Sequence, residues 1–102
     1  MKTVYIASPY TKGDTALNVR RSIEAADELL DLGYAPYAPL LTHFWHLISP
    51  HRVETWYKLD NEWVKRCDCL LRLEGESSGA DAEVELAVSL GIPVYYSIKE
   101  LL

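Results

Sequence analysis

The chain has 102 residues, of which 49% are apolar and 25% charged, and its net charge is −5. This length suits one domain over residues 1–102, and the composition excludes general disorder. No apolar run approaches the ~20 residues of a membrane span. The N-terminus turns polar too early for a signal peptide, and the two basic pairs, Arg20-Arg21 and Lys65-Arg66, have acids beside them. A cytoplasmic protein is expected, with no membrane and no nucleic-acid polymer as partner.

Residues 2–7 form a β-rich run that ends at Ser8-Pro9-Tyr10. Asp14-Thr15 then offers an N-cap. Ala16, Val19, Ile23, Ala26 and Leu30 follow at helical spacing, with Leu29 alongside, and Gly33 suits the stop. A second strand is predicted over 34–38. Residues 40–52 read either as one or two helical turns or as a packed loop. A second long helix covers 53–66, a buried strand 68–73, a third long helix 80–90 and a last strand 92–97.

Alternating strands and helices predict a three-layer, doubly wound α/β fold, flavodoxin-like or Rossmann-like, with a parallel sheet of about four to five strands. Ligands bind beyond the C-terminal ends of such strands. That rule selects Ser8-Pro9-Tyr10, the stretch from Leu40 to His43, and the loop from Gly75 to Gly79.

Cys67 and Cys69 lie two apart, too close for a good disulfide, and read as reduced core thiols. His43, His46 and His51 carry no metal-binding spacing with them, so neither a metal nor a cofactor is expected.

The last helix holds the most informative residue. Asp81, Glu85 and Ser89 make one polar stripe. Ala80, Glu83, Ala87 and Leu90 make the stripe that should face the sheet. On spacing alone Glu83 is either an ordinary acid near the helix start or a desolvated carboxylate with a chemical task. Ser77 and Ser78 read as N-caps or as part of a phosphate cradle with Gly79, and Asp81 as a helper in capping. Asp60 shares a helix face with Trp56, Trp63 and Val64, and is either a solvated acid or one beside apolar groups. Tyr5 lies inside the first strand and needs a partner for its hydroxyl if buried.

Four stretches together resemble the nucleoside 2-deoxyribosyltransferase superfamily, which includes the 2′-deoxynucleoside 5′-monophosphate N-glycosidases. They are Val4-Tyr5-Ile6-Ala7-Ser8-Pro9-Tyr10, then Pro39 to His43, then Asp60 through Cys67-Asp68, and Glu76-Ser77-Ser78-Gly79-Ala80-Asp81-Ala82-Glu83 with Ala87 and Gly91-Ile92-Pro93-Val94. The resemblance implies Glu83 as nucleophile, Asp60 as the second acid and Tyr5 as the residue that contacts the nucleophile. It implies Ser8, Pro9, Tyr10, His43, Ser77 and Gly79 as substrate-binding residues. Transferases of the family carry an acid six positions before the nucleophile, whereas the monophosphate hydrolases carry serine, as this chain does at Ser77. Two family features, a C-terminal extension in the transferases and a later phosphate-binding helix in the hydrolases, have no counterpart before Leu102.

The function this implies is hydrolysis of the base–sugar bond of a (deoxy)nucleoside 5′-monophosphate, through a homodimer or higher homo-oligomer. The alternatives are a nucleotide-binding module without turnover and a deoxyribosyltransferase. Trp45, Tyr10 or Trp56 would stack on the base or serve core or dimer packing.

Overall fold

The computed structural model describes residues 1–102. Four strands form the sheet: β1 (Thr3–Ala7), β2 (Ala35–Tyr37), β3 (Cys69–Arg72) and β4 (Val94–Tyr95). They are all parallel, in the order β2-β1-β3-β4. Parallel neighbours need crossovers, and α1 (Thr15–Asp31), α2 (Thr42–Ile48), α3 (Val53–Val64) and α4 (Ser78–Ser89) supply them. A 3₁₀ turn, Pro39–Leu41, leads into α2, and another, Ile98–Leu101, ends the chain.

The period-2 alternation of the central strands divides the core into two faces. Val4 and Ile6 of β1, with Cys69 and Leu71 of β3, pack against Ala25 and Leu29 of α1. Tyr5 and Ala7, with Leu70, pack the other way against Val64, at the end of α3, and Ala80 and Ala87 of α4. The result is the expected three-layer α/β fold, with helices on both sides of a parallel sheet. Both cysteines are free and buried. No helix is long and apolar enough to cross a membrane.

The helix stripes differ from expectation in instructive ways. In α1 the buried residues are Asn18, Val19, Ser22, Ala25 and Leu29, whereas Ile23 and Leu30 are exposed. Small side chains let α1 lie close to the sheet, which turns the bulky ones outward. Asp14 caps α1 as predicted, accepting from Leu17 N. In α4 the helix starts two residues earlier than expected, because Ser77 is the N-cap and accepts from Ala80 N at 3.1 Å. Asp81 therefore has no capping role, and Leu90 at the other end is exposed.

The sheet order places a switch point between β1 and β3: β2 lies on one side of that pair and β4 on the other. The loops after β1 and β3 meet there. Pro9 packs beneath Gly75, whose φ is +123° and where an added Cβ would sit 2.9 Å from Pro9 Cγ. A Gly75→Ala variant is expected to lose about 1–3 kcal/mol of stability. Urea unfolding reads this directly, and an unchanged midpoint would mean that the two loops can part at no cost.

Candidate active site

A cavity of about 580 Å³ opens beyond the C-terminal ends of β1 and β3. Its volume falls within the range of small-molecule sites, about 300–1,000 Å³. One wall is a single face of α3, where Val53, Trp56, Tyr57 and Asp60 recur at helical spacing. The adjoining wall is the start of α4, with Ser77, Ser78, Gly79 and, one turn further in, Glu83.

Glu83 points toward the sheet. Tyr5, which is fully buried, donates its hydroxyl to Glu83 Oε2. The pair follows from the two periodicities: β1 turns Tyr5 to the α4 side, and Ala80 and Ala87 bring α4 close enough for Glu83 to reach it. Burial pushes Glu83 up to about 7, outweighing the Tyr5 hydrogen bond and the charge of Arg72, which act in the opposite direction. Glu83 lies beyond the first turn of α4, where the field of the helix start, which would favour its charged form, has fallen away. Burial raises the Tyr5 hydroxyl far above the ordinary tyrosine range, with the Glu83 charge adding to it. Tyr5 therefore stays protonated and keeps its O–H for the Glu83 carboxylate.

Asp60 lines the same cavity, and burial pushes it up to about 7 as well. Its Oδ1 is buried and has no hydrogen-bond partner. The two carboxyls thus sit in different environments. Glu83 has a donor aimed at it, which favours its charged form. Asp60 has none, which favours its protonated form. Tyr37 lies beside this group, stacked on Trp63 at 5.1 Å, and burial together with the Asp60 charge pushes it up to about 12.

Ser8, Tyr10, Ser77 and Gly79 are on the cavity wall. Pro9 and His43 are not. Pro9 supports Gly75 from below, and His43 Nδ1 shares a hydrogen bond of 2.6 Å with Tyr10 Oη, so it acts on the cavity through Tyr10. Trp56 lines the cavity, whereas Trp45 is half-exposed and edge-on to Trp56. Lys12 is the one lysine or arginine on the wall, 3.8 Å from Glu76. No group of three or more His, Cys, Asp or Glu gathers to hold a metal.

Two residues outside the set expected from the sequence hold the loops. Arg72, buried at the end of β3, donates from Nη2 to Gly75 O at 2.8 Å and to Asp81 Oδ1 at 2.9 Å, and from Nη1 to Leu73 O. It fixes the β3–α4 loop and the start of the helix that carries Glu83. Its signal in the sequence was an arginine closing an apolar strand. Asn18, on the buried side of α1, donates to Tyr10 O and Lys12 O, each at 2.9 Å, and holds the first loop. Its signal was an amide one residue before Val19 of the apolar stripe.

A family profile described as a domain of unknown function, DUF7768, matches residues 2–97. The chain belongs to DUF7768. No curated protein matches its sequence. Among solved structures, this DUF7768 chain is similar to a 2-deoxyribosyltransferase from the psychrotolerant bacterium Bacillus psychrosaccharolyticus, with a TM-score of 0.67 at 22% identity over 90% of this chain and 69% of that one. The two proteins share a fold.

The raised carboxyls make the stability of this DUF7768 domain depend on pH. Each contributes stability that is complete below its ordinary value, 3.8 for Asp60 and 4.5 for Glu83, and is lost as pH rises through about 7. The urea midpoint is expected to fall between about pH 5 and pH 8, and to fall less in Asp60→Asn. Equal slopes in the two proteins would show that Asp60 is not desolvated.

Proposed function

We propose that this domain hydrolyses the base–sugar bond of a (deoxy)nucleoside 5′-monophosphate, with Glu83 as nucleophile. The observation that carries the reading is the hydrogen bond from buried Tyr5 to Glu83 in a cavity that also holds Asp60, whose Oδ1 has no partner. One carboxyl is prepared to be ionised and the other to hold a proton, as glycosidic bond cleavage with two acids requires. The shared fold with an enzyme described as a 2-deoxyribosyltransferase supports the same class of chemistry.

In the first step Glu83 forms a bond to C1′ as the bond from C1′ to the base nitrogen breaks. The leaving base takes the Asp60 proton. Tyr5 holds the attacking carboxylate by its Oε2, leaving the other oxygen to react. In the second step Asp60, now a carboxylate, accepts a proton from water. That water attacks C1′ and frees Glu83. Ser77 and Gly79 accommodate the 5′-phosphate: the first N–H groups of α4 have no helical carbonyl to reach, and Lys12 adds the nearby positive charge. Ser8 and Tyr10 bound the sugar, with His43 and Pro9 supporting them from behind.

A deoxyribosyltransferase is the second reading, favoured by the activity for which the structural neighbour is named. It differs only in the second step, where a free base replaces water. The domain is further proposed to act as a homodimer joined through α2, where Trp45, Leu47 and Ile48 are 52%, 66% and 87% exposed.

Incubation with the four common 2′-deoxynucleoside 5′-monophosphates should release free base. Glu83→Gln is expected to reduce that release by about 10⁴-fold or more, and Tyr5→Phe by about 10²-fold. Nucleotide binding without base release by wild-type protein would leave a binding module. Exchange with a labelled free base would select the transferase. The rate should fall on both sides of neutrality, because the reaction needs one proton on the Asp60–Glu83 pair and both carboxyls titrate at about 7. Sedimentation should report a dimer, with Ile48→Asp shifting it toward monomer; a wild-type monomer at high concentration would overturn the pairing.

A further inference from the structure

The mechanism above does not use His46, although it is among the residues that line the cavity and its ring is held through Nδ1. Trp56 Nε1 donates to His46 Nδ1 at 2.9 Å, and His51 N donates to the same atom at 3.2 Å. An indole nitrogen is only a donor, and so is a backbone amide. His46 Nδ1 is therefore the acceptor, and the ring carries its proton on Nε2. His46 Nε2 has no partner within the chain. The ring cannot turn over without setting a C–H against both donors. Trp56 is packed edge-on by Trp45 at 5.1 Å and by His51 at 5.3 Å, so the donor that orients His46 is itself fixed. The result is an oriented N–H with nothing in the protein to receive it.

Its position along the cavity says what would receive it. Trp56 lies one turn before Asp60 on α3, about 6 Å along the helix axis. If Asp60 protonates the leaving base, the base lies against this stretch of α3, in the part of the cavity that Trp56 and His46 also line. The 5′-phosphate end, at Ser77 and Gly79, belongs to a different wall. Nucleobase edges carry carbonyl oxygens and ring nitrogens as acceptors.

We propose that His46 is a specificity-determining residue that donates from Nε2 to an acceptor on the edge of the leaving base, with Trp56 as the positioning residue that sets its ring. This rests on the nucleotide-cleaving reading. A base that presents an acceptor to His46 is selected. A base that presents an amino group there meets a second donor and is rejected.

The test compares kcat and KM for the four common 2′-deoxynucleoside 5′-monophosphates in wild type, His46→Phe and His46→Gln. Phe keeps the bulk and removes the donor, whereas Gln keeps an N–H near the Nε2 position. Phe is expected to lower kcat/KM for the preferred nucleotide by about ten- to hundredfold, mostly through KM, and to flatten the order of preference. Gln should restore most of that order. Trp56→Phe, which keeps a ring but removes the indole N–H, should loosen the preference in the same direction. Inhibition by 2-deoxyribose 5-phosphate, which lacks a base, should be equal in wild type and His46→Phe. If the Phe variant hydrolyses nucleotides with the wild-type preference and KM, or if it loses affinity for the base-free sugar phosphate to the same degree, His46 does not read the base, and the cleavage reading stands without it. If wild-type protein cleaves none of the four, the cleavage reading falls and this assignment falls with it.

Discussion

A carboxylate held between a helix and a sheet is the constraint around which this domain is arranged. Glu83 occupies a place where α4 meets β1, and such a place is ordinarily apolar. It is tolerated because Tyr5 donates to it and because the positive charge of Arg72 acts on it. Both partners come from the sheet face turned toward α4, one from β1 and one from β3. The small residues Ala80 and Ala87 let the helix sit close enough for the contact. A bulkier pair would push α4 away and leave Tyr5 without its acceptor. The polar pair and the small-residue packing are therefore one feature.

The loops that frame the cavity are fixed by the same economy. Arg72 serves Gly75, Leu73 and Asp81 from one guanidinium. Gly75 makes room for Pro9, and Asn18 reaches across from α1 to tie the backbone on either side of Thr11. The rim of the crevice is thus built on residues anchored in strands and helices. That is the physical basis for treating it as preorganised, because little ordering is left for a ligand to bring about.

Much of this was legible in the residues. Alternating strand and helix patterns gave the layers, and Glu83 stood out because three neighbours on its stripe are apolar. Three things were not legible. The rotation of α1 depended on Ser22 and Ala25 being small, and apolar periodicity weights Ile23 and Leu30 more heavily. The start of α4 depended on choosing between Ser77 and Ser78 as cap, which local preference cannot separate. That choice moved Asp81 from a capping role to an ion pair with Arg72, whose partner lies nine residues on. The His46–Trp56 contact was hidden for a further reason: α2 is only seven residues long, and a short amphipathic run with exposed aromatics gives no clear period.

The outer strands carry a consequence of their own. β2 has three residues, one of them Pro36, and β4 has two, preceded by Pro93. Strands so short, with imino residues in or beside them, offer a poor template for another chain to extend the ladder. Copies of the domain are thereby protected against growth edge by edge into fibrous aggregates, and any orderly association is directed to helical surfaces instead.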